Sequence, residues 1–281
     1  MNEVGLGKAL QLARLSKGLT QQQLCQRADL SYSTLAKIER GAIKAPSIFT
    51  IQKIASSLGL ELDDILGNVS GLRTKDSKKT SKSGIKFVYF DINGCLVRFY
   101  HRAFTKIAYN FSISSEDVET VFWHYNDAVC SGEISLDDFN KKLSERLKID
   151  PINFKDYYLS SVEAMPGMIE LVNKISVDYK VGLISDIMPG FIDALLDKKL
   201  IADVGYNSIV DSSVVKALKP ELKIFKAAES MSEVTPSELL LIDDSRSNIA
   251  AAEKLGWHVI WFNDTDPKDS IARIKTALEI N

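Results

Sequence analysis

Two uninterrupted apolar runs, Val181-Gly182-Leu183-Ile184 and Leu239-Leu240-Leu241-Ile242, set the strongest limit on what this chain can fold into. A strand with one face in water alternates apolar and polar residues. Runs without that alternation need cover on both faces, as parallel strands flanked by helices have. Strand-type segments at 85–90, 180–185, 207–210, 239–243 and 257–262 alternate with helix-type ones, which predicts an α/β unit built on a parallel sheet. The two runs end in Ser185-Asp186 and Asp243-Asp244-Ser245. Ligands of open α/β sheets bind beyond the carboxyl ends of the strands, so these polar groups are the first functional candidates.

The chain has 281 residues, 35 basic and 37 acidic side chains and a formal net charge of -2. That length is about twice a typical domain and predicts two. The near-neutral total argues against a nucleic-acid binder only until it is divided along the chain. Residues 1–70 carry net +2, residues 71–84 net +4 and residues 85–281 net -8. The segment 71–84 holds one large apolar residue and no periodicity, so it is expected to be a basic flexible linker between the two domains. No apolar run approaches the roughly 20 residues needed to span a bilayer, and no basic stretch leads into an apolar core at the N-terminus. Cys25, Cys95 and Cys130 are odd in number and far apart, which suits a reducing compartment. A cytoplasmic protein with no membrane contact is therefore expected. His101, His124 and His258 are scattered and predict no histidine-based metal site.

Residues 1–70 carry helix signals throughout. Leu6, Ala9, Leu10, Ala13 and Leu15 are expected to give an apolar face that stops at Gly18, and Thr20 with Gln23 has capping-box spacing. Ser31 caps a helix ending at Gly41, Ser47 opens one ending at Gly59, and a short turn over 61–66 closes a five-helix unit. Two short helices joined by a tight turn suggest a helix-turn-helix. The residues Leu19-Thr20-Gln21-Gln22-Gln23-Leu24, Ala28, Leu30-Ser31, Thr34-Leu35, Ile38-Glu39-Arg40-Gly41 and Pro46-Ser47 resemble the Cro/repressor (XRE-like) family. Asp29 stands where such turns usually have Gly. The resemblance implies that the helix over 31–40 enters the major groove of a double-stranded DNA operator. Ser31, Tyr32, Ser33 and Lys37 would read base edges, Gln21 would fix the backbone, and Arg40, Lys44 and the linker lysines would contact phosphate. It also implies binding as a homodimer. The competing reading is a helical module for protein contact.

The stretch 87–100 alternates and contains Asn93-Gly94, which by itself predicts a β-hairpin. Its context gives Asp91 another meaning. Asp91-Ile92-Asn93-Gly94-Cys95-Leu96, Ser185, Lys219-Pro220 and Asp243-Asp244-Ser245 with Asn248 follow four successive strands. In that order and spacing they resemble the haloacid-dehalogenase-like hydrolase superfamily over about 85–270. The resemblance implies a Rossmann-like core, mostly phosphatase activity, and a helical cap at about 100–164. Trp123, His124 and Tyr125 lie in that cap and are assigned to its core.

The roles implied follow the chemistry of phosphoryl transfer. Asp91 would be the nucleophile, forming an aspartyl-phosphate. Mg²⁺ would be held by Asp91, the backbone carbonyl of Asn93, and Asp243 or Asp244, all hard oxygen ligands. Lys219 and Ser185 would hold the phosphoryl oxygens of a phosphorylated small molecule. Family phosphatases carry Asp as general acid and base where this chain has Asn93, and an amide cannot serve, at a typical cost of about 10²–10⁴ in rate. Three readings follow: a slow Mg²⁺-dependent phosphatase joined to a DNA-binding regulator, a sensor of a phosphorylated metabolite, or a switch in which phospho-Asp91 persists.

Overall fold

A computed structural model describes residues 3–43, 46–60, 78–98 and 101–280, with the side chains of residues 3–5 and 9 excepted. Lys44 and the turn expected over 61–66 lie outside the described residues. The chain divides into two compact units, Met1–Lys78 and Lys79–Asn281.

The first unit contains helices α1 (Glu3–Ser16), α2 (Gln21–Ala28), α3 (Tyr32–Glu39) and α4 (Ile48–Leu58). Their starts follow from side chains that satisfy otherwise unpaired backbone N–H groups. Thr20 Oγ1 accepts from the Gln23 amide at 3.2 Å while Gln23 Oε1 accepts from the Thr20 amide at 2.8 Å. Ser31 and Ser47 accept from the amides three residues on, each at 3.2 Å. Each such cap contributes about 1 kcal/mol. Asp29 takes the left-handed conformation, φ 49°, that the α2–α3 turn requires and that a short polar side chain tolerates. Leu10, Leu24, Leu35, Ile38, Ile51 and Ile54 form the shared core. A Cβ on Gly7 would lie 2.2 Å from the Ile38 carbonyl, so glycine is what lets α1 approach α3. Beneath that contact Arg14 is buried against Glu39, with Nε–Oε1 at 2.7 Å and Nη2–Oε2 at 3.0 Å, and Nη1 donates to the Leu19 carbonyl at 2.7 Å.

The second unit is built on strands β1 (Phe87–Phe90), β4 (Lys180–Ser185), β5 (Ser208–Asp211), β6 (Leu239–Asp243) and β7 (His258–Trp261), all parallel, in the order β5-β4-β1-β6-β7. The apolar runs are buried on both faces as their pattern predicts. Val88, Phe90, Val181, Leu183, Leu240 and Ile242 join one core, while Phe87, Tyr89, Ile184, Leu239 and Leu241 join another on the opposite face. The hairpin suggested by Asn93-Gly94 does not form on β1, whose partners are β4 and β6. The turn instead folds back on itself, Gly94 N donating to Val97 O at 2.9 Å.

A short antiparallel pair, β2 (Val97–Arg98) with β3 (Glu163–Ala164), closes the neck of a helical insertion. The insertion comprises α5 (His101–Phe111), α6 (Ser115–Cys130), α7 (Leu136–Leu147) and α8 (Phe154–Leu159). Its core is a cluster of phenylalanines, with ring centroids 4.9 Å apart for Phe104–Phe122, 5.0 Å for Phe122–Phe154 and 5.6 Å for Phe139–Phe154. Trp123 does not belong to that core: it is 44% exposed. One turn position places Phe122 inward and its neighbour outward. His124 is exposed too, and Tyr125 only packs at the core's edge.

The segment expected as linker through Gly84 is anchored from Lys79 onward. Lys79 N donates to Asp178 O at 2.5 Å, Lys82 N to Glu279 Oε1 at 2.7 Å, and the Ile85 amide to the hydroxyl of buried Ser81 at 3.0 Å. Hydrogen bonds donated by its own backbone amides fix it without apolar burial, which is why composition misses it. Residues 71–77 lie outside the described residues.

Candidate active site

Asp91 leaves the carboxyl end of the central strand, its amide donating to the Ile242 carbonyl at 2.9 Å. Its neighbours β4 and β6 end beside it, bringing Ser185 and Asp243 together. Ser185 Oγ donates to Asp91 Oδ1 at 2.7 Å, and Lys219 Nζ lies 3.0 Å from the same oxygen and 2.6 Å from Asp243 Oδ2. The Lys219 amide donates to Asp186 Oδ1 at 2.9 Å. Asp243 is bound at both oxygens: Oδ1 accepts from the Ser245 amide at 2.8 Å and Asn248 Nδ2 at 3.1 Å, while Oδ2 accepts from Asn248 at 3.2 Å besides Lys219.

Asp244 is placed differently. Its carbonyl accepts from Trp261 Nε1 at 2.7 Å, and its carboxylate borders the cavity. A Cβ on Gly94 would lie 2.0 Å from Asp244 Oδ2, and Gly94 has φ +86°. The left-handed turn therefore favours glycine there, and a Cβ would displace the Asp244 carboxylate. Asp91, Asp243 and Asp244 can each offer an oxygen within 4.8 Å of the others, the hard, oxygen-rich donor set that Mg²⁺ prefers. The residues present fit such an ion.

The charges are unbalanced around one cation. Asp91, Asp186 and Asp243 surround Lys219, and its charge also reaches Asp244. Burial raises Asp91 above the usual carboxylate range, more than Lys219 lowers it. Burial likewise pushes Asp186 to about 7, and burial with the Asp91 and Asp243 charges pushes Asp244 to about 7. Burial alone would lower Lys219, but Asp243, Asp91 and Asp186 outweigh it and keep the ammonium protonated.

Asn93 occupies the next position out, and Tyr158 Oη donates to its Oδ1 at 2.9 Å. Burial raises the Tyr158 hydroxyl, so it remains a donor. A cavity of about 740 Å³ covers Asp91, Asn93, Lys219 and Asp244 and extends to Arg98 and Trp123. All six catalytic and metal candidates read from the sequence, Asp91, Asn93, Ser185, Lys219, Asp243 and Asp244, thus meet at the carboxyl end of the sheet. Sequence reasoning missed Tyr158, which lies 65 residues from Asn93 and carries no local signal. It also missed the cavity position of Trp123, visible only as an aromatic beside the inward Phe122.

On the first unit, Ser31, Tyr32, Ser33, Lys37 and Arg40 are exposed on or beside α3. Tyr32 is 55% exposed. Ser31 is also the α3 cap, and Arg40 Nε donates to the Ala36 carbonyl at 3.1 Å. Gln21 is not free: its Nε2 donates to Glu39 Oε2 at 2.7 Å, joining the Arg14–Glu39 pair.

Residues 10–65 match a helix-turn-helix family and residues 88–262 match the haloacid dehalogenase-like hydrolase family. The immunity repressor protein of Bacillus phage phi105 is 34% identical over 77 residues, 27% of this chain. That match spans about half, 53%, of the repressor's own length. Among solved structures, a HAD-like family hydrolase from Porphyromonas gingivalis is 22% identical with a TM-score of 0.57, covering 68% of this chain and 97% of that one. A HAD family enzyme from Bacteroides thetaiotaomicron, in complex with magnesium and inorganic phosphate, is 22% identical with a TM-score of 0.54, covering 64% and 96%. These two show a shared fold. An N-terminal helix-turn-helix domain thus precedes a hydrolase domain that makes up most of the chain, and the protein belongs to the haloacid dehalogenase-like hydrolase family.

Proposed function

We propose that the chain is a DNA-binding transcriptional regulator whose hydrolase domain carries out Mg²⁺-dependent aspartyl-phosphate chemistry at a slow rate. The observation that carries the reading is the convergence of Ser185 and Lys219 on one oxygen of Asp91, with Asn93 at the neighbouring position. Asp91, the Asn93 carbonyl and Asp244 would hold the metal. Asp243, saturated by Lys219, Ser245 and Asn248, positions the lysine instead. Bound Mg²⁺ would offset the carboxylate excess and the charge of the phosphate.

In the reaction the free oxygen of Asp91 attacks phosphorus and the ester P–O bond breaks. Lys219 and Ser185 then bind the phosphoryl oxygens as their charge grows. The departing alkoxide takes its proton from water, because Asn93 has no acidic proton to give. Hydrolysis of phospho-Asp91 by water is slow for the same reason, which supports the second reading, a persistent phospho-Asp91 that signals to the DNA-binding domain.

Turnover of a general phosphatase substrate with Mg²⁺ tests the first reading. A rate no greater than that of Asp91→Asn would sink it, and acid-stable acyl-phosphate on Asp91 after exposure to acetyl phosphate would then favour the switch. For the N-terminal domain, α3 offers Tyr32, Ser33 and Lys37 to the major groove of a duplex operator, bound by a homodimer. Lys37→Ala should weaken selected operator DNA and relax the base preference at the position it reads, by about 1–3 kcal/mol; unchanged binding would favour the protein-contact alternative. The buried, unpaired cysteines support a reducing, cytoplasmic setting.

A further inference from the structure

The cavity over Asp91 has two chemically distinct ends. The inner end is the carboxylate group around Lys219. The outer end is supplied by the neck and the cap: Arg98 on β2, His101 and Arg102 on α5, and Trp123, Asn126 and Asp127 on α6 all line it. Arg102 is paired with Glu163, and the Asp127 carboxylate accepts from Asn126 Nδ2 at 3.2 Å. Arg98 is exposed and has no ion-pair partner among the described residues. It follows Asn93 by a single turn, closed by the 2.9 Å Gly94–Val97 hydrogen bond, so its position relative to the nucleophile loop is fixed.

A guanidinium lining a cavity that already holds a phosphate site is a device for recognising an anion. Its planar fork matches a carboxylate or a phosphate bidentately. The half-exposed Trp123 ring adds a flat apolar wall, and its Nε1 donates to Glu119 Oε1 at 3.2 Å. Asp127 and Asp264 also border the cavity, so the outer end is not uniformly basic. A cation without an acidic partner at one point favours an anion there and penalises a cationic leaving group.

We propose that the substrate is a small phosphate monoester whose leaving group carries a second anionic group, held by Arg98 with Arg102 beside it. The inference rests on the phosphate-site reading above and adds the specificity of its outer end.

Binding to the full chain with Mg²⁺ tests it, using inorganic phosphate, glycerol phosphate, phosphoglycerate and a three-carbon bisphosphate as probes. Phosphoglycerate or the bisphosphate should bind on the order of tenfold tighter than glycerol phosphate, the scale of a charge-assisted hydrogen bond. Which of the two gains more identifies the second anion as carboxylate or phosphate. Arg98→Gln should abolish the preference while leaving inorganic phosphate affinity unchanged, and Arg102→Gln should reduce it less. The exposed Arg98 side chain makes folding of the variant straightforward to verify by thermal melting. Inorganic phosphate binding without any preference among the esters would overturn this proposal alone, as would an equal loss for all ligands in Arg98→Gln. Failure of inorganic phosphate to bind would overturn the phosphate-site reading and this proposal together.

Discussion

Restoring a carboxylate at position 93 should convert a slow site into a faster one, and the size of the gain follows from what surrounds Asn93. Amide and carboxylate have nearly the same shape, and the Oδ1 that accepts from Tyr158 at 2.9 Å remains an acceptor in Asn93→Asp. Geometry is therefore kept while an acid and base is gained, a change typically worth about 10²–10⁴ in rate, or roughly 3–5 kcal/mol of barrier. The new charge joins four carboxylates around Lys219, so the variant should bind Mg²⁺ more tightly and melt at a lower temperature in its absence. Steady-state hydrolysis of a general phosphatase substrate, across a Mg²⁺ titration, measures both effects. The gain should appear in kcat rather than KM, should vanish in Asn93→Asp combined with Asp91→Asn, and should shrink when Tyr158→Phe removes the orienting bond. A folded Asn93→Asp protein with an unchanged rate at saturating Mg²⁺ would refute the reasoning.

Three further outcomes are expected. Glu39→Ala leaves Arg14 buried without its partner, which should cost about 3–5 kcal/mol, enough to unfold the N-terminal domain selectively in a two-transition melt. A single intact transition for that domain would contradict it. Gly94→Ala meets a positive φ costing about 1–2 kcal/mol and a side chain 2.0 Å from Asp244 Oδ2. Mg²⁺ binding by calorimetry should therefore weaken more than overall stability falls. Burial raises Tyr89 and Tyr179 to about 12, while an unfolded tyrosine ionises near 10. The unfolded state then binds fewer protons between pH 10 and 12, so stability is full below pH 10 and falls as pH rises through that window. Tyr89→Phe should flatten the fall in denaturant midpoint, and an unaltered slope would remove Tyr89 as a cause.

What was legible in the sequence was local. Apolar runs that end in polar residues announce buried parallel strands and their active carboxyl ends, so Ser185 and Asp243 were legible in the runs themselves, whereas Asp91 and Lys219 were marked only by the resemblance to the hydrolase superfamily. Capping residues announced α2, α3 and α4 for a similar reason, since Thr20, Ser31 and Ser47 act within three residues. Contacts between distant segments left no such trace. Tyr158 reaches Asn93 from the cap, and Gln21 turns to Glu39 rather than outward. The linker shows the opposite error: a lysine-rich, apolar-poor stretch reads as unattached, yet main-chain bonds to Asp178 and Glu279 secure it from Lys79. Composition measures what can be buried, and it is silent about backbone hydrogen bonding.

The neck of the insertion has a consequence for how such a protein can change. Val97 pairs with Ala164, so the chain leaves the sheet and returns to it at adjacent points. Everything between them is a closed loop whose ends are already joined, and doubling such a loop adds only about 0.6 kcal/mol of closure entropy. Helices can accordingly be lengthened, shortened or exchanged within that excursion while β1, β4 and β6 keep their register. Asp91 and the side chains that the insertion brings over it thus lie on separable pieces of chain, and a graft across positions 97 and 164 is the natural seam for exchanging one without the other.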